Sequence, residues 1–226
     1  MPMKKLLLFL LLSLVSIIVV GCMEMHSELT INKDRSADYT HIILVDPDVI
    51  PYLDENFLAE TKNDYQEHGY QVSDYQEHDM IGFKASMHLN DIDNETIILT
   101  DENEKPQNYD LIVVKKGFLK NSYHIRSIYD YSDMKDLKDD PYVDMIFDAI
   151  SFTFTLNLPT KAKNANTGNI TNNGQTLEWD LFPGERNVVE ADFELINTSN
   201  IILSILLALI IIAVIVILYM KKKTVK

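Results

Sequence analysis

The chain predicts an α+β fold: an antiparallel sheet with one principal amphipathic helix, followed by a C-terminal transmembrane helix. Three observations carry this. Between Met23 and Ile196 most apolar residues recur at every second position in short runs, the period of strands that bury one face. One stretch, Pro51 to His68, switches to helical spacing. Ile201 to Tyr219 is apolar except for Ser204, too long for a strand and long enough for a bilayer.

In chain order, Lys4-Lys5 precede the short apolar run Leu6 to Val20, and Val19-Val20-Gly21-Cys22 closes it. Basic flank, apolar core, small residue and cysteine together form a bacterial lipoprotein signal peptide with its lipobox. Residues 1–21 are expected to be removed, leaving Cys22 as an acylated N-terminus. The alternatives for Cys22 are a retained anchor and an ordinary thiol. It is the only cysteine, so the chain forms no internal disulfide and its stability must come from packing.

Met23, Met25, Leu29 and Ile31 mark a first strand and Ala37 to Val45 a second. The turn between them, Asn32-Lys33-Asp34-Arg35, lacks the glycine that a hairpin favours. Asp46-Pro47-Asp48 ends the pair. Leu53, Phe57, Leu58 and Tyr65 then share one helical face, and Gly69 stands where a helix-terminating glycine belongs. Tyr70 to Tyr75 and Met80 to Leu89 return to alternation as a second antiparallel pair. Ile97 to Thr100 is a shorter strand or loop, and Leu111 to Val114, Phe118 to Tyr123 and Ile125 to Tyr131 are strand candidates. Met134 to Tyr142 is polar and irregular, whereas Ile146 to Leu158 alternates strongly. Thr176 to Leu181 and Asn187 to Ile196 flank Phe182-Pro183-Gly184-Glu185, which predicts a hairpin. Trp179 shares a face with Leu177 and Leu181 and is expected in the core.

The terminal apolar run reaches roughly 30 Å as a helix, one bilayer core. Lys221, Lys222, Lys223 and Lys226 follow it and read as its cytoplasmic flank. The expected organisation is a signal peptide over 1–21, one extracytoplasmic domain over 22–198, a membrane helix over 201–220 and a basic cytoplasmic tail over 221–226. The protein is thus expected at the cell membrane, lipid-anchored and single-pass. Setting aside Lys4, Lys5 and the four tail lysines leaves 14 of the 20 basic residues against all 34 acidic ones, a net charge of −20 for the outer domain. Such a surface disfavours nucleic acid and repels anionic lipid at long range.

The last third carries a family pattern. Leu158-Pro159 ends a long strand, Asn164-Ala165 follows, then Gly174-Gln175-Thr176-Leu177-Glu178-Trp179-Asp180-Leu181, and a strand after Pro183-Gly184 leads straight into the terminal span. With the lipobox, the early hairpin and the helix ending at Gly69-Tyr70, this resembles the LppM-type bacterial lipoprotein family. The resemblance implies an envelope lipoprotein with an α+β outer domain and an association with lipid or glycolipid. It brings no catalytic residues.

Chemistry-bearing clusters are few. Asp64-Tyr65-Gln66-Glu67-His68 recurs as Asp74-Tyr75-Gln76-Glu77-His78, but one copy falls on a helix end and the other on a strand, so zinc ligation is not expected. Asp91, Asp93, Glu95 and Glu102 have calcium-loop spacing, with Thr96 where the loop needs glycine. Asn94, Asn169 and Asn197 head Asn-x-Ser/Thr triplets, read as incidental. The six histidines, His26, His41, His68, His78, His88 and His124, stand in no Gly-x-Ser-x-Gly, Ser-x-x-Lys or His-Glu-x-x-His setting. The expectation is a non-enzymatic protein with no catalytic residues, no metal and no cofactor. Its outer domain is expected to bind an envelope lipid, glycan or protein. The competing expectation is a structural or assembly partner of another membrane protein, paired through the span.

Overall fold

The structure is a computed structural model that describes residues 21–53, 56–93, 109–132 and 149–224. The predictions for the signal peptide up to Val20, Ile97 to Thr100 and Met134 to Tyr142 lie outside the described residues. The strands are β1 (Met23–Ile31), β2 (Ala37–Val45), β3 (Gln71–Glu77), β4 (Met80–Leu89), β5 (Tyr109–Lys115), β6 (Lys120–Asp130), β7 (Ile150–Asn157), β8 (Asn164–Ala165), β9 (Asn169–Thr171), β10 (Thr176–Leu181) and β11 (Arg186–Ile196). Helix α1 is Phe57–Glu67 and helix α2 is Thr198–Thr224. The fold class is α+β, with one long apolar C-terminal helix able to cross a membrane by length and composition.

Two sheets form, ordered β3-β4-β2-β1-β7-β10-β9 and β5-β6-β11-β8. Every second residue points inward: Leu29 and Ile31 from β1, Tyr39 and Ile43 from β2, Phe152, Phe154 and Leu156 from β7, and Tyr123 and Ile125 from β6 meet Val189, Ala191, Phe193 and Leu195 from β11 in one core. Aromatic rings knit the layers, with Tyr129 5.8 Å from Phe154 and Tyr131 5.1 Å from Phe152. On the outer face of β6 and β11 the inward rule gives way to charge pairs, Arg126 with Glu190 and His124 with Asp192, each directly opposite across the ladder. Gly82 on β4 lies opposite Leu44 in the antiparallel ladder with β2. A Cβ there would sit 1.9 Å from the Ile43 carbonyl oxygen.

Three expectations about strand pairing and extent change. The sheets are mostly antiparallel, but β7 pairs with β1 in parallel, Met23 opposite Ile150. Side chains on the outer face fix that register: His26 Nδ1 lies 2.7 Å from Thr153 Oγ1, and Asn157 Nδ2 donates to Glu28 Oε1 at 2.6 Å. Second, β10 and β11 are not a hairpin; β10 pairs with β7 and β9, β11 with β6 and β8. Asn187 forces the crossing. Its amide accepts from Phe182 N–H and donates to the carbonyls of Phe182 and Glu185, while Tyr131 N–H donates to the Glu185 carbonyl and draws the chain toward β6. The apolar rows of β10 and β11 then oppose each other across the core instead of lying side by side. Third, Phe118 to Tyr123 and Ile125 to Tyr131 do not form two strands. Lys120 to Asp130 is one continuous strand, with Phe118 and Leu119 exposed in the turn before it.

Helix α1 is shorter than the 51–68 expected, because Pro51 sits in a separate 3-10 turn, Ile50–Tyr52. Its end matches expectation: Gly69 has φ +86°, its N–H bonds the Gln66 carbonyl, and the Tyr70 N–H bonds the Tyr65 carbonyl. That pair of bonds satisfies the last helical carbonyls and turns the chain into β3.

Candidate functional site

The seven-stranded sheet is wider than the four-stranded one, and α1 covers part of the inner face left over. Leu58 and Tyr65 pack from α1 onto the core, Tyr65 with its ring 5.7 Å from Phe83 and 5.1 Å from Tyr70. The cover is incomplete. Between α1, the inner faces of β1, β2 and β7, and the end of β6 lies a cavity of about 320 Å³. Met25, Ile43, Phe152 and Leu181 give it apolar walls, and Tyr65, Tyr70, Tyr129 and Tyr131 line it with rings. Thr61 and Asp64 on α1, and His68 just after it, also line it.

Ser27 and His41 bring polarity to this apolar setting. They are cross-strand partners on β1 and β2, both buried, with Ser27 Oγ 2.8 Å from His41 Nδ1. The other ring nitrogen, Nε2, is buried without a hydrogen-bond partner among the described residues. Burial pushes the imidazole from 6.5 down to about 3, so His41 is neutral at physiological pH. Burial also raises the Tyr65 phenol, and pushes Tyr131 up to about 12, so both line the cavity as neutral O–H groups. The site is therefore uncharged in its depth. A neutral imidazole, hydroxyls and rings suit an amphiphile with a hydrogen-bonding group; they would not stabilise a buried anion or cation.

As a catalytic dyad the pair is poorly equipped. A base that protonates only near pH 3 has little driving force to take the Ser27 proton, and among the described residues no carboxylate bonds the ring. Sequence reasoning missed this pair because Ser27 and His41 belong to no motif. Only the hairpin register and the inward face of odd-numbered residues place them opposite each other.

The other candidates do not gather here. His68 Nδ1 bonds the Asp64 carbonyl oxygen at 2.8 Å at the end of α1. His78 is in the two-residue β3–β4 turn, with φ +47° followed by +67° at Asp79, and not on a strand as expected. The twin pentapeptides thus sit on different elements, and among the described residues no group of three or more His, Cys, Asp or Glu side chains could hold a metal ion. Asp91 and Asp93 meet Arg35, at 3.8 and 3.5 Å, and Lys116 approaches Asp93 at 3.9 Å; Glu95 and Glu102 lie outside the described residues. Trp179 is buried beside Leu177 and Leu181, its Nε1 donating to Asn166 Oδ1 at 2.7 Å.

Cys22 is half-buried at the very start of β1. Its N–H donates to the Ala149 carbonyl at 2.8 Å and its carbonyl accepts from Asp46 N–H at 3.0 Å. Burial, reinforced by the Asp46 carboxylate, raises its thiol pKa. The eight steps from Met23 to Ile31 cover about 26 Å at roughly 3.3 Å each, and the far end of β1 is the end from which α2 leaves. The β1–β2 turn joins that pole through Arg35, Asp93 and Lys116, and Thr160 Oγ1 donates to the Glu194 carbonyl just before α2 begins. The two expected membrane attachments therefore sit at opposite poles of the domain.

Comparison with known proteins agrees with the pattern in the last third of the chain. An NMR structure of the folded domain of LppM from Mycobacterium tuberculosis aligns with a TM-score of 0.48 at 14% identity, covering 80% of this chain and 94% of that one. No curated protein matches the chain. The family model described as the LppM domain matches residues 24–195, from the second residue of β1 to the penultimate residue of β11, and the chain belongs to that family.

Proposed function

We propose that the outer domain is a non-catalytic binding module of a membrane-anchored envelope lipoprotein, and that its ligand is the apolar part of an envelope lipid. The cavity beneath α1 carries this reading. Its volume falls at the lower end of the range for small-molecule sites, roughly 300–1,000 Å³, and its walls are aromatic and aliphatic. A glycan would need many paired polar groups there, and a protein partner a flatter surface. The unpartnered His41 Nε2 offers one hydrogen bond for an ester or hydroxyl at the end of the apolar portion. The net charge of −20 keeps anionic headgroups away from most of the surface, which favours a lipid entering as a single molecule over adsorption of the domain to a bilayer through that surface.

In this reading Cys22 carries the diacylglycerol, α2 spans the membrane, and the four terminal lysines are cytoplasmic. A single acyl chain holds a protein to a membrane only marginally, so the helix supplies retention. The lipid has another task. With the attachments at opposite poles, both reach one bilayer only when the long axis of the sheets lies along the membrane, or when the first residues of β1 peel away. Lying flat brings the domain close to its lipid source.

Native mass spectrometry of the full chain extracted in detergent tests the binding reading. The expected result is protein carrying one non-covalent lipid, lost in a Ser27→Leu variant that fills the cavity. Protein released bare, or an adduct indifferent to that substitution, refutes it. A membrane protein co-purifying with an empty cavity supports an assembly partner instead. For the attachment, Cys22→Ala should abolish incorporation of labelled fatty acid, and continued labelling would refute the assignment.

A further inference from the structure

The junction between the outer domain and α2 is a single residue, Asn197, and it is tied down. Its N–H donates to the Leu119 carbonyl at 2.8 Å and its Nδ2 to the Gly117 carbonyl at 3.2 Å, both in the β5–β6 turn. Its Oδ1 accepts from Asn200 N–H at 3.3 Å, and its carbonyl accepts from Ile201 N–H, capping the start of α2. Asn197 thus fastens the turn to the root of the helix. The turn itself is close-built: a Cβ on Gly117 would lie 2.3 Å from the Lys120 carbonyl oxygen.

The turn presents a surface unlike the rest of the domain. Phe118 and Leu119 at its tip are 67% and 57% exposed, and Ile196, the last residue of β11, is 62% exposed. Lys115, Lys116 and Lys120 flank them. The nearest described carboxylates are already engaged, Asp93 with Arg35 and Lys116, Glu194 with Lys120 and Lys163. An exposed apolar tip ringed by lysines, on a domain with an acidic excess, is the composition of a segment that sits in the headgroup layer of an anionic membrane. Fastening to a spanning helix one residue away leaves it no other place.

We propose that the β5–β6 turn is a membrane foot: Phe118 and Leu119 insert at the interface beside the root of α2, and Lys115 and Lys116 meet anionic lipid headgroups. The foot rests on the reading of α2 as a span. It gives an acidic domain a lysine-flanked apolar contact with the bilayer beside the root of α2.

The test uses the full chain in vesicles of phosphatidylcholine with phosphatidylglycerol, carrying the photo-crosslinking amino acid p-benzoylphenylalanine at one position at a time. Lipid adducts are read by mass. Crosslinks are expected from positions 118, 119 and 210, the last within α2. No lipid adduct at 118 or 119 with adducts at 210 overturns the foot and leaves the span intact. No adduct at 210 overturns the span, and the foot with it. Lys115→Gln with Lys116→Gln should lower the yield at 118 when phosphatidylglycerol is present and leave it unchanged in phosphatidylcholine alone. An equal yield in both compositions overturns the electrostatic half of the proposal. Native Trp179 emission in each variant checks that the domain is folded.

Discussion

His41 makes the stability of this domain depend on pH in a way that can be isolated. Unfolded, the imidazole titrates near 6.5; folded, burial holds it near 3. Above pH 6.5 both states are neutral, and the group contributes no pH dependence. As pH falls from 6.5 toward 3, the unfolded chain takes up a proton that the folded chain refuses. Stability then drops by up to about 1.4 kcal/mol per pH unit, or about 2.3 kcal/mol between pH 6.5 and 4.5. Below 3 the loss levels off. The assay is urea unfolding of the full chain in detergent, followed by emission of Trp179, which is the only tryptophan and is buried in the domain. Carboxylates titrate in the same range, so the comparison is with His41→Gln, which keeps a partner for Ser27 and cannot titrate. The variant should lose the extra slope while keeping the carboxylate part. Parallel pH profiles for the two proteins would refute the placement of a neutral, unsolvated imidazole in the cavity wall.

Other positions give sharper structural tests. Gly82→Ala should cost about 3 kcal/mol or more, since the new methyl meets the backbone of β2 and neither strand can yield without breaking its ladder; the urea midpoint reports it. Asn187→Ala should cost about 1–3 kcal/mol by leaving the Phe182 N–H unpaired and removing the amide's bonds to the Phe182 and Glu185 carbonyls at the sheet-to-sheet corner. Asn187→Asp should not rescue it, because a carboxylate cannot donate to those carbonyls. Trp179→Phe should cost roughly 1–2 kcal/mol, read by far-ultraviolet circular dichroism, because Asn166 Oδ1 keeps the Glu190 N–H when the indole donor is lost.

Local chemistry was legible from residue order. The alternation over Met23–Ile31 and Ala37–Val45, the glycine ending α1, the inward face of Leu177, Trp179 and Leu181, and the apolar length of α2 all follow from periods that need no knowledge of the rest of the fold. The same local logic misread Pro183-Gly184. A good turn signal says that the chain bends, not which strand it will join, and the bonds of Asn187 and Tyr131 send β11 to the other sheet. It also left the cavity invisible, since Ser27, His41, Tyr65, Tyr131 and Phe152 converge across more than a hundred residues.

The sequence by itself determined most of the strand segments, which helix covers the sheet and which helix is greasy enough to leave water, because side-chain period and hydrophobicity are properties of neighbours in the chain. Tertiary structure decided the parallel insertion of β7, the neutral pocket under α1, the fastening of Asn197 to the β5–β6 turn and the separation of Cys22 from the root of α2 by the length of a strand. Each of those depends on which distant backbone groups satisfy one another, and only a closed core fixes that choice.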